Sequence, residues 1–145
     1  MTILSTSEAD THAFAADLAA RLRPGDTVLL IGELGAGKTT LVRAMLAEWG
    51  WAGAVRSPTF NLLHVYATTP PVVHADLYRL REGGAESTGL EEYLDSHIVL
   101  VEWPDRAAHL FDPTQVWRIR LEFVPEQGPD VRRITLTPPR AKLAP

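Results

Sequence analysis

The chain has 145 residues and a mass of 16.0 kDa, the size of one domain with room for a real core. With 46% hydrophobic and 22% charged residues, a net charge of −4 and a pI near 5.7, it reads as globular and lacks a broad basic face to hold nucleic acid electrostatically. It has no cysteine, which excludes disulfide frameworks, zinc ribbons and thiol catalysis. Met1-Thr2-Ile3-Leu4-Ser5 carries no basic flank or long apolar run, and runs such as Val28 to Ile31 and Ile98 to Val101 are too short to cross a bilayer. A cytoplasmic protein with no membrane partner is expected.

Ser7-Glu8-Ala9-Asp10 reads as a helix N-cap, and Phe14, Leu18 and Leu22 then recur at i, i+4 and i+8. Pro24-Gly25-Asp26 ends that helix. Residues 27–31 form a short, wholly apolar strand of the buried kind. It runs into Gly32-Glu33-Leu34-Gly35-Ala36-Gly37-Lys38-Thr39, and residues 38–49 read as the helix that follows. An extended loop, Val55-Arg56-Ser57-Pro58-Thr59-Phe60, leads into a strand at 61–66. Residues 72–76 make the next strand, and a short helix is expected around 90–94. Ile98-Val99-Leu100-Val101 is a second buried strand, ending on Glu102. Trp117, Ile119, Leu121 and Phe123 alternate with Arg118, Arg120 and Glu122, so this strand has one wet face and turns at Gln127-Gly128-Pro129-Asp130 into a partner at 133–137. Residues 1–137 are expected to form a single domain, and the Pro/Ala-rich segment 138–145 a flexible tail.

The segment Gly32 to Thr39 fits G-x-x-x-x-G-K-[ST], and strand, loop, helix is the context that motif requires. Its lysine is one of only two; the 14 basic residues less Lys38 and Lys142 leave 12 arginines. A compact ammonium can slide beneath a phosphate bridge where a planar guanidinium cannot, and glycines give positive φ and close backbone approach to oxygen. A bound nucleoside triphosphate is expected. Thr39 would supply a hydroxyl to Mg²⁺, and an acidic residue at a neighbouring strand end the second contact. Glu102 fits that place; otherwise it is a solvated strand-end carboxylate. Asp76 could orient the attacking water, or could close an Asx turn or pair with Arg79. Ser57-Pro58-Thr59 is either a switch-like loop sensing the γ-phosphate or ordinary turn chemistry. Trp103 could stack near the nucleotide or fill the core. The five histidines show no metal-ligand spacing and read as structural or surface residues. No N-K-x-D segment is present, which favours ATP over GTP.

In this order, Gly32 to Thr40, Ser57-Pro58-Thr59-Phe60, His74-Ala75-Asp76-Leu77-Tyr78-Arg79-Leu80 and Val101-Glu102-Trp103-Pro104 resemble the TsaE (YjeE) family of small bacterial ATPases, over roughly residues 5–137. The resemblance implies a three-layer P-loop α/β fold with a mixed, mostly parallel central sheet and a C-terminal antiparallel hairpin. It also implies Mg²⁺-dependent ATP hydrolysis serving threonylcarbamoyladenosine synthesis at the tRNA position next to the anticodon. The partner would be the TsaD–TsaB complex, with tRNA reached indirectly through it. By motif matching, Gly35, Ala36, Gly37, Lys38, Thr39 and Thr40 would hold the phosphates, and Thr39 with Glu102 would hold Mg²⁺. Asp76 would be the water-positioning acid, Thr59 part of the switch-like loop, and Trp103 a neighbour of the nucleotide. Glu8, Thr11, Asp105 and a C-terminal arginine, Arg132 or Arg133, would complete the pocket. Glu33 stands where the family more often has Asp, and Phe60 where Tyr also occurs. A small-molecule kinase and an ATP-dependent binding switch with negligible turnover are the competing readings.

Overall fold

Short apolar runs separated by glycine and proline turns assemble, in the computed structural model, into one seven-stranded sheet. The structure describes residues 1–55, 62–81, 84 and 88–142; the Ser57-Pro58-Thr59-Phe60 segment, Thr59 included, lies outside the described residues. In chain order the elements are β1 (Thr2–Ser5), α1 (Glu8–Arg21), β2 (Thr27–Ile31), α2 (Lys38–Glu48), β3 (Leu63–Tyr66), β4 (Val72–Asp76), β5 (Ile98–Glu102), β6 (Trp117–Phe123) and β7 (Arg132–Thr137). The strands lie in the order β1-β7-β6-β2-β5-β4-β3. β6, β2, β5 and β4 run parallel, while β1, β7 and β3 are antiparallel to their neighbours. The sheet is therefore mixed, with parallel strands at its centre and the β6–β7 hairpin near one edge.

Buried on both faces, β2, β4 and β5 send alternate residues into two separate cores. Val28, Leu30, Val72, Ile98 and Leu100 pack under α1 and α2 with Phe14, Leu18, Leu41 and Met45. Leu29, Val73, Ala75, Val99 and Val101 face the opposite layer, with Leu77, Leu90, Ala107 and Phe111. That second layer is built from short 3₁₀ turns, Leu90–Tyr93 and Pro104–Leu110, where the first layer has two α-helices. The turn at Leu90–Tyr93 stands where the short helix was expected.

Ser7 caps α1, its hydroxyl accepting from the Asp10 amide. Asp10 answers by accepting from the Thr6 amide and hydroxyl, and these bonds hold its carboxyl below the ordinary value. The hairpin keeps most of the alternation read from its sequence: Trp117, Ile119 and Leu121 are buried and Arg120 and Glu122 exposed, but Phe123, at the end of β6, is exposed as well. β1, which the sequence pattern does not announce, pairs Thr2–Ser5 with Arg132–Thr135 of β7. After β7 the Arg140 amide donates to the Thr114 carbonyl, and Arg140–Lys142 form a 3₁₀ turn. No helix among the described residues is long and apolar enough to cross a membrane.

Candidate functional site

The carboxyl ends of the central parallel strands converge on the glycine loop. In open α/β sheets this edge is where ligands collect. β2 delivers Gly32 to the loop, and the register pairs Leu30 with Glu102 and Glu102 with Asp76. Parallel pairing places the Asp76 and Glu102 side chains on the same face at adjacent strand tips, beside the start of α2.

The loop geometry depends on its glycines. Gly35 has φ 81° and Gly37 φ 106°, left-handed values that an L side chain resists. A Cβ on Gly32 would lie 2.7 Å from the Leu121 carbonyl oxygen, so the loop passes against β6 with no room for a side chain. Gly37 caps α2 without a side-chain hydrogen bond. The first turn of α2 thus faces the loop without a capping side chain in the way, and the positive end of the helix dipole favours an anion there.

Lys38 is 5% exposed. Its Nζ donates to the Gly32 carbonyl at 2.6 Å and sits 4.0 Å from the centre of the Trp103 ring. Burial pushes the ammonium below its ordinary pKa, opposed by the nearby carboxylates of Glu102, Asp76 and Asp105. An underhydrated cation of this kind interacts strongly with polyphosphate. Trp103 holds its indole there from a left-handed backbone, φ 57°, the one non-glycine residue with positive φ among the described residues. For a bulky residue that conformation is strained, and such strain clusters at functional sites.

Three adjoining cavities surround this lysine and the loop. One, of about 500 Å³, is lined by Gly35, Gly37, Thr39, Thr40, Asp76 and Glu102, among others. The next, of about 380 Å³, brings Glu8, Thr11, Ala36, Thr40 and Arg132 together at the junction of β1, α1 and β7. The largest, about 830 Å³, lies beyond Lys38 and Trp103 and takes in Asp105, Arg120 and Phe123. Of the two candidate arginines it is Arg132 that lines the cleft. Its guanidinium lies over the Phe123 ring at 4.3 Å and donates to the Pro129 and Val131 carbonyls. All the expected site residues with described coordinates therefore meet around the loop, although Asp105 lies across Lys38 and Trp103 from Thr39.

The carboxylates differ in environment. Glu102 is 3% exposed and its Oε2 lies 2.6 Å from Nε2 of His74, which is fully buried. Asp76 accepts from the Tyr78 amide at 3.1 Å, so the Asx turn and the place at the cleft occur together. Desolvation raises the Asp76 carboxyl above its ordinary pKa, partly offset by that amide and aided by the Glu102 charge. A carboxyl raised in the fold favours the native state while protonated and loses that advantage as pH rises through its folded value. Asp76→Asn, which keeps an acceptor for Tyr78, is therefore expected to melt a few degrees above the wild type at pH 7. The difference should shrink as pH falls toward 3.8; calorimetric melting across that range checks it.

Mg²⁺ fits this donor set. No group of three His, Cys, Asp or Glu side chains able to cage a metal occurs among the described residues. A small hard cation held by one or two carboxylates plus ligand phosphates needs no such cage. Thr39 and Glu102, both on the wall of the 500 Å³ cavity, would supply the hydroxyl and carboxylate oxygens.

Comparison with known proteins agrees with this architecture. The family described as "Threonylcarbamoyl adenosine biosynthesis protein TsaE" matches residues 5–134. The chain belongs to the TsaE family. The protein named tRNA threonylcarbamoyladenosine biosynthesis protein TsaE from Streptomyces coelicolor is 40% identical over 126 residues, covering 83% of this chain and 84% of its own. Its Bacillus subtilis namesake is 40% identical over 131 residues, covering 88% and 79%. Among solved structures, the crystal structure of Bacillus subtilis YdiB superposes with a TM-score of 0.78 at 30% identity, over 95% of this chain and 84% of that one.

In this TsaE chain the sequence reading missed several residues at the site. His74 is the buried structural histidine its sequence context suggests, and it also touches Glu102, which the sequence reading does not announce. Its signal is the position two before Asp76 in a buried strand, on the same face. Ser5, whose hydroxyl lies 2.7 Å from that of Thr11, enters through the unannounced β1. Arg120 and Phe123 belong to the hairpin and reach the large cavity only because β6 pairs with β2, which no local pattern reveals.

Proposed function

We propose that residues 1–137 act as a Mg²⁺-dependent ATPase domain in tRNA threonylcarbamoyladenosine synthesis, working with the TsaD–TsaB complex. The observation that supports it best is the joining of a desolvated Lys38, the glycine-capped start of α2, and the Thr39–Asp76–Glu102 wall in one cleft. The loop amides and Lys38 hold the phosphates and spread the charge that grows on their oxygens in the transition state. Thr39 and Glu102 would hold the cation, which when bound would neutralise phosphate charge. Asp76, one strand over from Glu102 and with a raised pKa, orients the attacking water and takes up its proton. Glu8, Thr11 and Arg132 frame the nucleoside side. Trp103, stacked against Lys38, keeps water from the lysine.

No arginine finger is evident in the sequence, so turnover alone should be slow, on the order of 10⁻⁴ to 10⁻² s⁻¹. The partner complex would accelerate it, with the Ser57 to Phe60 segment as the switch-like element. Phosphate release from ATP, measured with and without TsaD–TsaB, tests both statements. Fast turnover indifferent to the partners would contradict them.

The 830 Å³ chamber beside Lys38, with Arg120 and Asp105 on its wall, favours one second reading, transfer of the γ-phosphate to a small acceptor. Labelled ATP separates the two: label on a metabolite indicates a kinase, label only in inorganic phosphate an ATPase.

A further inference from the structure

We infer that His74 is a positioning residue that fixes the Glu102 carboxylate for the cation, an inference resting on the metal role proposed for Glu102. The register of β4 and β5 pairs His74 with Leu100 and Asp76 with Glu102. His74 therefore stands one step behind Asp76, on the Glu102 face of the sheet. Its ring is 0% exposed and its Nε2 lies 2.6 Å from Glu102 Oε2. Nδ1 makes no hydrogen bond among the described residues, so Glu102 is the ring's only polar partner there. A fully buried imidazole with one hydrogen bond is a poor way to fill a core, because its second nitrogen is desolvated without return. The contact to Glu102 gives the residue its use.

For an ionised Glu102 the bond requires the tautomer with hydrogen on Nε2, donating to Oε2. With Oε2 accepting from His74, the carboxylate keeps Oε1 and a remaining lone pair for the cation. The glutamate side chain has three rotatable bonds, and the donor held rigidly by β4 removes that freedom before the cation arrives. His74 lines none of the three cavities around the loop, and its effect passes through Glu102.

Calorimetric binding of a non-hydrolysable ATP analogue to the purified full chain, in Mg²⁺ and in EDTA, tests this, with thermal melting as a check on folding. For His74→Leu, affinity in EDTA should stay within about twofold of wild type while the gain conferred by Mg²⁺ falls about 10–100-fold. His74→Gln places its amide nitrogen near the Nε2 position and should recover most of the gain. His74→Asn places it near Nδ1, too short to reach Glu102, and should not recover it. If the leucine variant fails to fold, the contrast between glutamine and asparagine decides. A Mg²⁺ gain unchanged in His74→Leu, equal behaviour of Gln and Asn, or equal losses in Mg²⁺ and EDTA would each overturn the inference while leaving the ATPase reading standing. A wild-type chain that binds no nucleotide would overturn both.

Discussion

Lys38→Ala is expected to lower ATP turnover by at least a hundredfold, because losing one preorganised donor to transition-state charge typically costs about 2.7–4 kcal/mol. The structure explains why the effect should be at the upper end. The ammonium is already stripped of water, held by one carbonyl and one aromatic face, so little further desolvation remains when phosphate arrives. Alanine leaves the Trp103 face empty and the phosphates without their only lysine in the cleft. Arginine should not substitute, since its planar fork is not a compact point charge and would have to displace the contacts Nζ makes with the Gly32 carbonyl and the indole. Steady-state phosphate release from purified variants, beside melting curves to confirm folding, measures the loss. Turnover near the wild-type level in Lys38→Ala would remove the lysine from the mechanism.

Glu102→Gln should be comparably severe, about a hundredfold or more in Mg²⁺-dependent turnover, with nucleotide affinity in EDTA unchanged. The substitution preserves shape, and glutamine can still accept from His74 Nε2, so the fold should survive. What it removes is a negative charge at a buried strand tip. The same change relieves Asp76 of a like-charged neighbour that helps to hold its pKa up, so Asp76 should titrate lower in the variant. Mg²⁺ titrations of turnover distinguish this from general damage: the variant should need far more Mg²⁺ to reach half its maximal rate. Unchanged Mg²⁺ dependence would place the cation elsewhere.

Much of the central machinery was legible in the sequence because its physics is local. A short continuous apolar run bounded by turn residues reads as a strand buried on both faces, and Gly35 and Gly37 mark the positive φ of a phosphate loop. Ser7 is the cap it reads as, and the alternation of β6 gives its buried and wet faces as far as Glu122, while Phe123 at the strand end is exposed. What escaped notice depends on pairing between distant strands. β1 is four residues long at a sheet edge, too short for alternation to register. The second layer of 3₁₀ turns has no 3.6-residue period to detect. His74 belongs to the site through the register of β4 on β5, and Arg132 is preferred over Arg133 in the cleft because the two point to opposite faces of β7. Family resemblance supplied the positions of Glu8, Thr11 and Asp105, which no motif in the chain would have singled out.

The most direct test of the central claim is phosphate release from ATP by the purified chain, with Mg²⁺ and then with EDTA. The account predicts slow release that requires Mg²⁺ and vanishes in Lys38→Ala. Release that persists in EDTA, or proceeds equally well in the Lys38→Ala variant, would contradict it.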